Sequence, residues 1–138
     1  MLKENWFLFS FLALICWGGW GFLPKLTVRY ISTSDAVIFQ GIGNLFFLII
    51  VLFYKGFSVE TDVRGITSAF FTGLLGILGS FFYLMAIERG KISVVVTLTA
   101  LYPVLTVILA YFFLNEPVTL KEIMGIFFAC ISILFFTI

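Results

Sequence analysis

Long apolar runs follow one another along almost the whole chain, with short polar connections between them. We place five such runs at residues 6–26, 35–54, 65–87, 92–114 and 120–138. Each run is close to the roughly 20 apolar residues that an α-helix needs to cross a bilayer, and about twice the length of a membrane β-strand. The pattern therefore predicts an all-α membrane protein with a bundle of five transmembrane helices.

Polar residues at the starts of the runs support these boundaries. Residue types that cap helix N-termini precede three of the runs, at Ser34-Asp35, at Thr61-Asp62, and at Thr119 with Glu122 in capping-box spacing. Few residues remain outside the runs, which leaves no room for a soluble domain. We therefore expect one transmembrane domain over residues 1–138.

The composition of the chain agrees with this pattern and narrows the possible functions. Of the 138 residues, 62% are hydrophobic and 11% are charged, and the net charge is +1 with no His. A net charge this small gives no indication of a nucleic-acid partner. Without His, and without a nucleophile and base together, we expect neither an enzyme nor a metal or cofactor site. Cys16 and Cys130 fall inside apolar runs, where we expect reduced thiols that pack as small apolar groups.

The positive charges are balanced between the two sides of the membrane. With five spans, one side holds Lys3, Lys55, Arg64 and Lys121, and the other holds Lys25, Arg29, Arg89 and Lys91. An excess of Lys and Arg in cytoplasmic loops normally fixes the orientation of a membrane protein. Two interpretations stay open: a single orientation set by the first helix, or dual topology, in which copies insert both ways and pair as antiparallel dimers.

The last third of the chain carries an ordered set of residues with a specific spacing. Pro103 lies in the middle of a run, Glu116 precedes a short turn, and Thr119 and Gly125 follow. This order resembles the closing half of an EamA domain, from the drug/metabolite transporter superfamily. Residues 17–25 and 86–93 are similar to the first helix of that family and to its connection between helices three and four.

The resemblance implies a function and a partner. Typical members of the superfamily have ten helices in two inverted repeats, and this chain resembles one repeat, an EamA-like half transporter. The implied function is transport of small polar or amphipathic metabolites across the cell (plasma or inner) membrane by alternating access, as a homodimer in the lipid bilayer. The alternative is an accessory subunit of a membrane assembly such as a lipid-linked sugar flippase. Gln40 stands where many members have an Arg, so the resemblance does not imply an anionic substrate.

Polar and aromatic side chains inside the runs are candidates for substrate contact, because polar groups are costly in a bilayer. Gln40 and Asn44 are four residues apart on one helix face, where they contact either a solute or a neighbouring helix. Trp17 and Trp20 are predicted to wall a cavity. Tyr83 either supplies a further hydroxyl to the substrate or packs against a groove of small residues.

The fourth run carries a longer polar line, formed by Thr99, Tyr102, Pro103 and Thr106 at i, i+3, i+4 and i+7. Because Pro103 has no N–H, the carbonyl of Thr99 loses its helical partner. Transporters use such freed carbonyls to bind ligands at the middle of the membrane. The alternative is a simple kink in which the Thr99 or Thr106 hydroxyl satisfies the carbonyl.

Small residues repeat at spacings that let helix backbones approach closely. Gly73 and Gly76 are predicted to pack within the bundle. Gly125 and Ala129 are predicted to pack either within the bundle or between two chains.

Overall fold

The protein is described by a computed structural model that covers residues 5–137, with side chains for residues 5–136. The described chain is helical and contains no strand. Its helices are α1 (Trp6–Thr27), α2 (Thr33–Tyr54), α3 (Val63–Arg89), α4 (Ile92–Thr99), α5 (Tyr102–Leu109) and α6 (Leu120–Thr137), and a π-helical turn, Ala110–Leu114, continues α5. Helices suit so apolar a chain, because each satisfies its own backbone hydrogen bonds in lipid.

Among residues 5–137, four segments are long and apolar enough to cross a membrane, and they are α1, α2, α3 and the segment Ile92–Leu114. The all-α membrane fold is therefore confirmed. The fifth predicted span corresponds to α6, which extends to Thr137 at the edge of the described residues. Residue 138 and Lys3, which entered the predictions above, lie outside the described residues.

The start of α2 differs from the prediction by two residues, because Ser32 rather than Ser34 caps the helix. The Ser32 hydroxyl accepts a hydrogen bond from the Asp35 N–H at 3.1 Å and donates to the Asp35 carboxylate at 2.7 Å. Ser32 has an extended backbone, which is typical of an N-cap residue. This reciprocal pair fixes the point where the α1–α2 connection ends.

The two other predicted caps are confirmed. Asp62 Oδ1 accepts from the Gly65 N–H at 2.9 Å at the start of α3. Before α6, Glu122 Oε2 accepts from the Thr119 N–H at 2.7 Å, and the Glu122 N–H donates to the Thr119 hydroxyl at 3.4 Å. These are the two reciprocal bonds of a capping box.

The chain divides into two compact units, Met1–Arg89 and Gly90–Ile138. In the first unit, α3 contacts both α1 and α2. The buried residues gather where α1 and α3 end and α2 begins, and they are Pro24, Ala36, Ser80, Tyr83, Leu84 and Ile87. The other halves of these helices expose large apolar side chains, which suits contact with lipid acyl chains.

In the second unit, α4 contacts α6, and Ile133 of α6 is buried. The π-helical turn ends at Asn115, whose φ of 54° is left-handed. The Glu116 N–H reaches back to the Ala110 carbonyl at 3.4 Å, and Pro117 follows, so the helix cannot continue.

Candidate functional site

A cavity of about 270 Å³ lies between α1 and α2 in the first unit. Each helix contributes one face to the lining, at i, i+3, i+4 spacing. The lining residues are Trp20, Leu23, Pro24 and Thr27 from α1, with Ala36, Phe39 and Gln40 from α2. Gln40 lies seven residues beyond the start of α2, so the cavity lining extends to a point roughly 10 Å from the start of that helix.

Gln40 carries the distinctive polar group of this cavity. Its side-chain oxygen Oε1 is buried and has no hydrogen-bond partner among the described residues. Burying such an acceptor without a partner costs about 1–3 kcal/mol, and most buried polar groups in proteins are paired. Within residues 5–136, this oxygen is therefore an acceptor that no described donor satisfies.

Of the other sequence-predicted residues of α1 and α2, the structure brings only Trp20 to this cavity. Asn44 is exposed one turn beyond Gln40 and does not line it. Trp17 is also outside the lining, and 62% of its surface is exposed. Their predicted role in substrate contact stays a prediction.

Tyr83 connects α3 to the wall of the cavity. Its hydroxyl donates to the Gly21 carbonyl at 2.6 Å, and its ring stacks on Trp20 with centroids 5.2 Å apart and planes 24° from parallel. Only 6% of the Tyr83 surface is exposed. These contacts pack Tyr83 against α1, and its predicted role in substrate contact stays a prediction.

Two polar contacts at the buried end of the first unit were not anticipated from the sequence. Lys25 Nζ donates to the Ile87 carbonyl at 2.6 Å, and the Thr33 hydroxyl donates to Glu88 Oε2 at 3.1 Å. A cation is favourable near the carbonyls at a helix C-terminus. Together the contacts hold the end of α3 against the two helix ends that border the cavity. The only sequence signal was the position of Lys25 in the last turn of α1.

The polar line of the fourth run is interrupted rather than continuous. α4 ends at Thr99 and α5 begins at Tyr102, which leaves Pro103 in the first turn of α5, where its missing N–H is tolerated. The Thr99 hydroxyl donates to the carbonyl of Val95 at 2.9 Å, and that of Thr106 donates to the carbonyl of Tyr102 at 3.1 Å. Neither hydroxyl bonds to the Thr99 carbonyl, so the simple satisfied kink is not what forms.

The π-helical turn borders a second, smaller cavity of about 120 Å³. Its lining residues are Val107, Ala110, Glu116, Pro117, Val118 and Glu122. Glu122 is engaged by Thr119 in the capping box described above. No group of three or more His, Cys, Asp or Glu that would hold a metal ion occurs among residues 5–137.

The predicted packing positions face open space. A Cβ added at Gly73, Gly76 or Gly125 would meet no described atom of this chain within 4 Å beyond its own local helix. Ala129 is exposed on the same helix as Gly125. Within the first unit no close approach is found at Gly73 or Gly76, and the predicted packing role of these residues stays a prediction.

Comparison with known proteins gives the chain a family context. Residues 4–138 match the EamA-like transporter family. The chain is 31% identical over 127 residues to an uncharacterized protein of Methanocaldococcus jannaschii, with 92% of each chain covered. It is also 31% identical over 114 residues to the uncharacterized transporter YyaM of Bacillus subtilis, which covers 81% of this chain and 37% of YyaM. No solved structure matches the chain.

Proposed function

Because this chain belongs to the EamA-like transporter family, we propose that it is a multi-pass transporter of small polar or amphipathic metabolites in the cell (plasma or inner) membrane. The observation that carries the proposal is the family match over residues 4–138. The apolar helices support it, since four described segments suit a bilayer span. In the proposed arrangement α6 is the fifth span.

The proposed functional unit is a homodimer. Many transporters place the substrate between two structural repeats that move against each other. Typical members of the superfamily have two five-helix repeats in one chain. This chain spans 37% of the transporter YyaM, which is consistent with one repeat. The open space beside Gly73, Gly76 and Gly125 offers small-residue helix surfaces to a second copy. Alternating access then corresponds to movement of one copy relative to the other.

Reconstitution of the purified chain alone is the first test. Proteoliposomes loaded with a mixture of polar metabolites should lose specific solutes faster than empty liposomes do, and mass measurement in lipid should find two chains. The control is the same preparation without protein. An active monomer would contradict the dimer. Binding to a distinct membrane protein with no transport by the chain alone would favour the accessory-subunit alternative.

The predicted polar residues outside the α1–α2 cavity give a second test. If they face the transport path, Asn44→Leu and Tyr102→Phe should each lower the initial transport rate about three- to tenfold, the usual range for one lost hydrogen bond. Folding and dimerisation should be unchanged. Tyr111→Phe is the matched control, because Tyr111 is a similarly exposed tyrosine, 53% against 58% for Tyr102. Unchanged rates in both test variants would remove these residues from the path.

A further inference from the structure

The cavity between α1 and α2 is mostly apolar and is open at its side. Leu23 and Phe39, which line it from the two helices, are 57% and 62% exposed. On the α3 side, the Tyr83 ring stacks against Trp20 and supports the wall. The open side therefore admits an apolar group from the surroundings of α1 and α2.

Those surroundings are lipid acyl chains. Both α1 and α2 are long and apolar enough to span a membrane. The cavity begins at Thr27, the last residue of α1, and extends to Gln40, roughly 10 Å from the start of α2. One leaflet contributes roughly 15 Å of hydrocarbon, so the cavity lies at the depth of the upper part of an acyl chain.

The size of the cavity suits part of such a chain. Its volume is about 270 Å³. An apolar protein cavity of about 150 Å³ holds a benzene molecule, so this one has room for a stretch of several methylene groups.

An exposed cation lies close to the end of the cavity lining. Arg29 is two residues beyond Thr27, and the backbone keeps a helical turn there, because the N–H groups of Tyr30 and Ile31 donate to the Thr27 carbonyl at 3.0 and 3.1 Å. Arg29 is therefore displaced from Thr27 by only about 3 Å along the helix axis. Its exposed guanidinium forms no ion pair with the residues that the structure describes.

The charged groups at this end of the first unit favour an anion. Both carboxylates accept a hydrogen bond from a hydroxyl, Asp35 from Ser32 at 2.7 Å and Glu88 from Thr33 at 3.1 Å. Asp35 also lies in the first turn of α2, where the helix dipole offsets its charge. Three cations outnumber these two carboxylates, and they are Lys25, Arg29 and Arg89.

We propose that the cavity is a phospholipid site, in which an acyl chain lies against Trp20 and Phe39 and an anionic headgroup contacts Arg29. The planar guanidinium suits this contact, because it donates two parallel hydrogen bonds to a phosphate. The acyl chain enters where α1 ends and α2 begins and fills the space between the two helices. This lipid site goes beyond the proposed transport function and does not depend on it.

Quenching of Trp20 fluorescence by brominated lipids reports an acyl chain in the cavity. In the full chain, Trp6→Phe with Trp17→Phe leaves Trp20 as the single tryptophan. Trp6→Phe with Trp20→Phe leaves Trp17, which is 62% exposed and outside the lining, as the matched control. Each protein is reconstituted in phosphatidylcholine with increasing fractions of brominated phosphatidylglycerol or brominated phosphatidylcholine, and the bromines are placed in the upper half of the acyl chains.

We expect half-maximal quenching of Trp20 at a fraction of brominated phosphatidylglycerol about fivefold lower than that of brominated phosphatidylcholine, the ratio expected for one Arg beside an anionic lipid. Trp17 should show no such preference. Arg29→Gln should abolish the preference at Trp20. Arg64→Gln removes an exposed cation at the start of α3, the opposite end of the first unit, and should leave the preference unchanged.

Three outcomes would overturn the inference. Equal quenching of Trp20 by the two brominated lipids would exclude the anionic headgroup, and a preference of the same size at Trp17 would show only a general attraction of anionic lipid to the protein. Shielding of Trp20 from both lipids would show that protein, such as a second copy of the chain, covers the cavity. The comparison of Trp20 with Trp17 leaves Arg29 in place, so it decides the matter even if Arg29→Gln fails to fold.

Discussion

Replacing both Arg89 and Lys91 by Gln is expected to drive all copies of the chain into one orientation and to reduce transport on the order of tenfold or more. The double substitution changes the Lys and Arg balance between the two sides from four against four to four against two. Insertion follows such differences when the charges lie close to the helix ends, as both residues do, beside the end of α3 and the start of α4. In the dual-topology interpretation the active unit is an antiparallel dimer, which cannot form from copies that all insert the same way.

Two further double substitutions complete this experiment. One removes charges from the opposite side, and the other removes one charge from each side. Lys55→Gln with Arg64→Gln should fix the reverse orientation, and co-expression with the first variant should restore transport. Arg29→Gln with Lys55→Gln removes two charges but takes one from each side, so it should stay active. The measurement is the accessibility of single thiols at Ser58 and Gly90 from each side of the membrane. If all Ser58 thiols of the native chain report one side, dual topology is wrong.

Leu84→Ala is expected to destabilise the first unit by about 2 kcal/mol or more, the lower end for Leu→Ala at buried sites. Leu84 is fully buried, with 0% of its surface exposed, so the truncated side chain leaves a cavity that lipid does not reach. Leu78→Ala is the matched control six residues earlier on α3, where 47% of the surface is exposed. There the acyl chains fill the gap, and we expect a change within about 0.5 kcal/mol.

Unfolding in mixed micelles with increasing SDS fraction, followed by circular dichroism, measures both variants. Because lipid is as apolar as leucine, a difference between them measures packing rather than transfer out of water. Equal destabilisation by Leu84→Ala and Leu78→Ala would show that the packing around Leu84 contributes no more than an ordinary lipid contact.

The positions of the helices along the chain were largely predictable, because they depend on local patterns. The helix ends predicted from the apolar runs lie within two residues of the observed ends, where these are described. The exception is the break in the fourth run. The caps at Asp62 and Thr119 bind partners three residues away, so residue type predicted the first and capping-box spacing predicted the second. At the start of α2 two serines, Ser32 and Ser34, could cap the helix, and the sequence did not show which of them does so.

The candidate site was only partly predictable, because it depends on contacts between distant residues. Helix spacing identified Gln40 and Trp20 as candidates, but not that they border one cavity while Trp17 and Asn44 lie outside it. The stacking of Tyr83 on Trp20 is set by the approach of α3 to α1, which no local pattern encodes.

The sequence analysis did not predict that the fourth run breaks into two helices, and the reason is a different one. Pro103 predicted a lost hydrogen bond, and a helix accommodates that loss either by a kink or by ending. The chain ends α4 at Thr99 and restarts at Tyr102, which places Pro103 where its missing N–H has no cost. The π-helical turn that follows depends on Asn115, whose left-handed backbone closes the segment.

The two hydrogen bonds between α1 and α3 also set an order of events during synthesis. Both Lys25–Ile87 and Gly21–Tyr83 join residues 62 positions apart. At about 5–20 residues per second, a ribosome needs roughly 3–12 s to add the second partner after the first. For those seconds the end of α1 lacks the contacts that later fix it. Until α3 emerges, α1 therefore lacks its bonds to Ile87 and Tyr83, and the completed bonds then oppose any inversion of α1 alone.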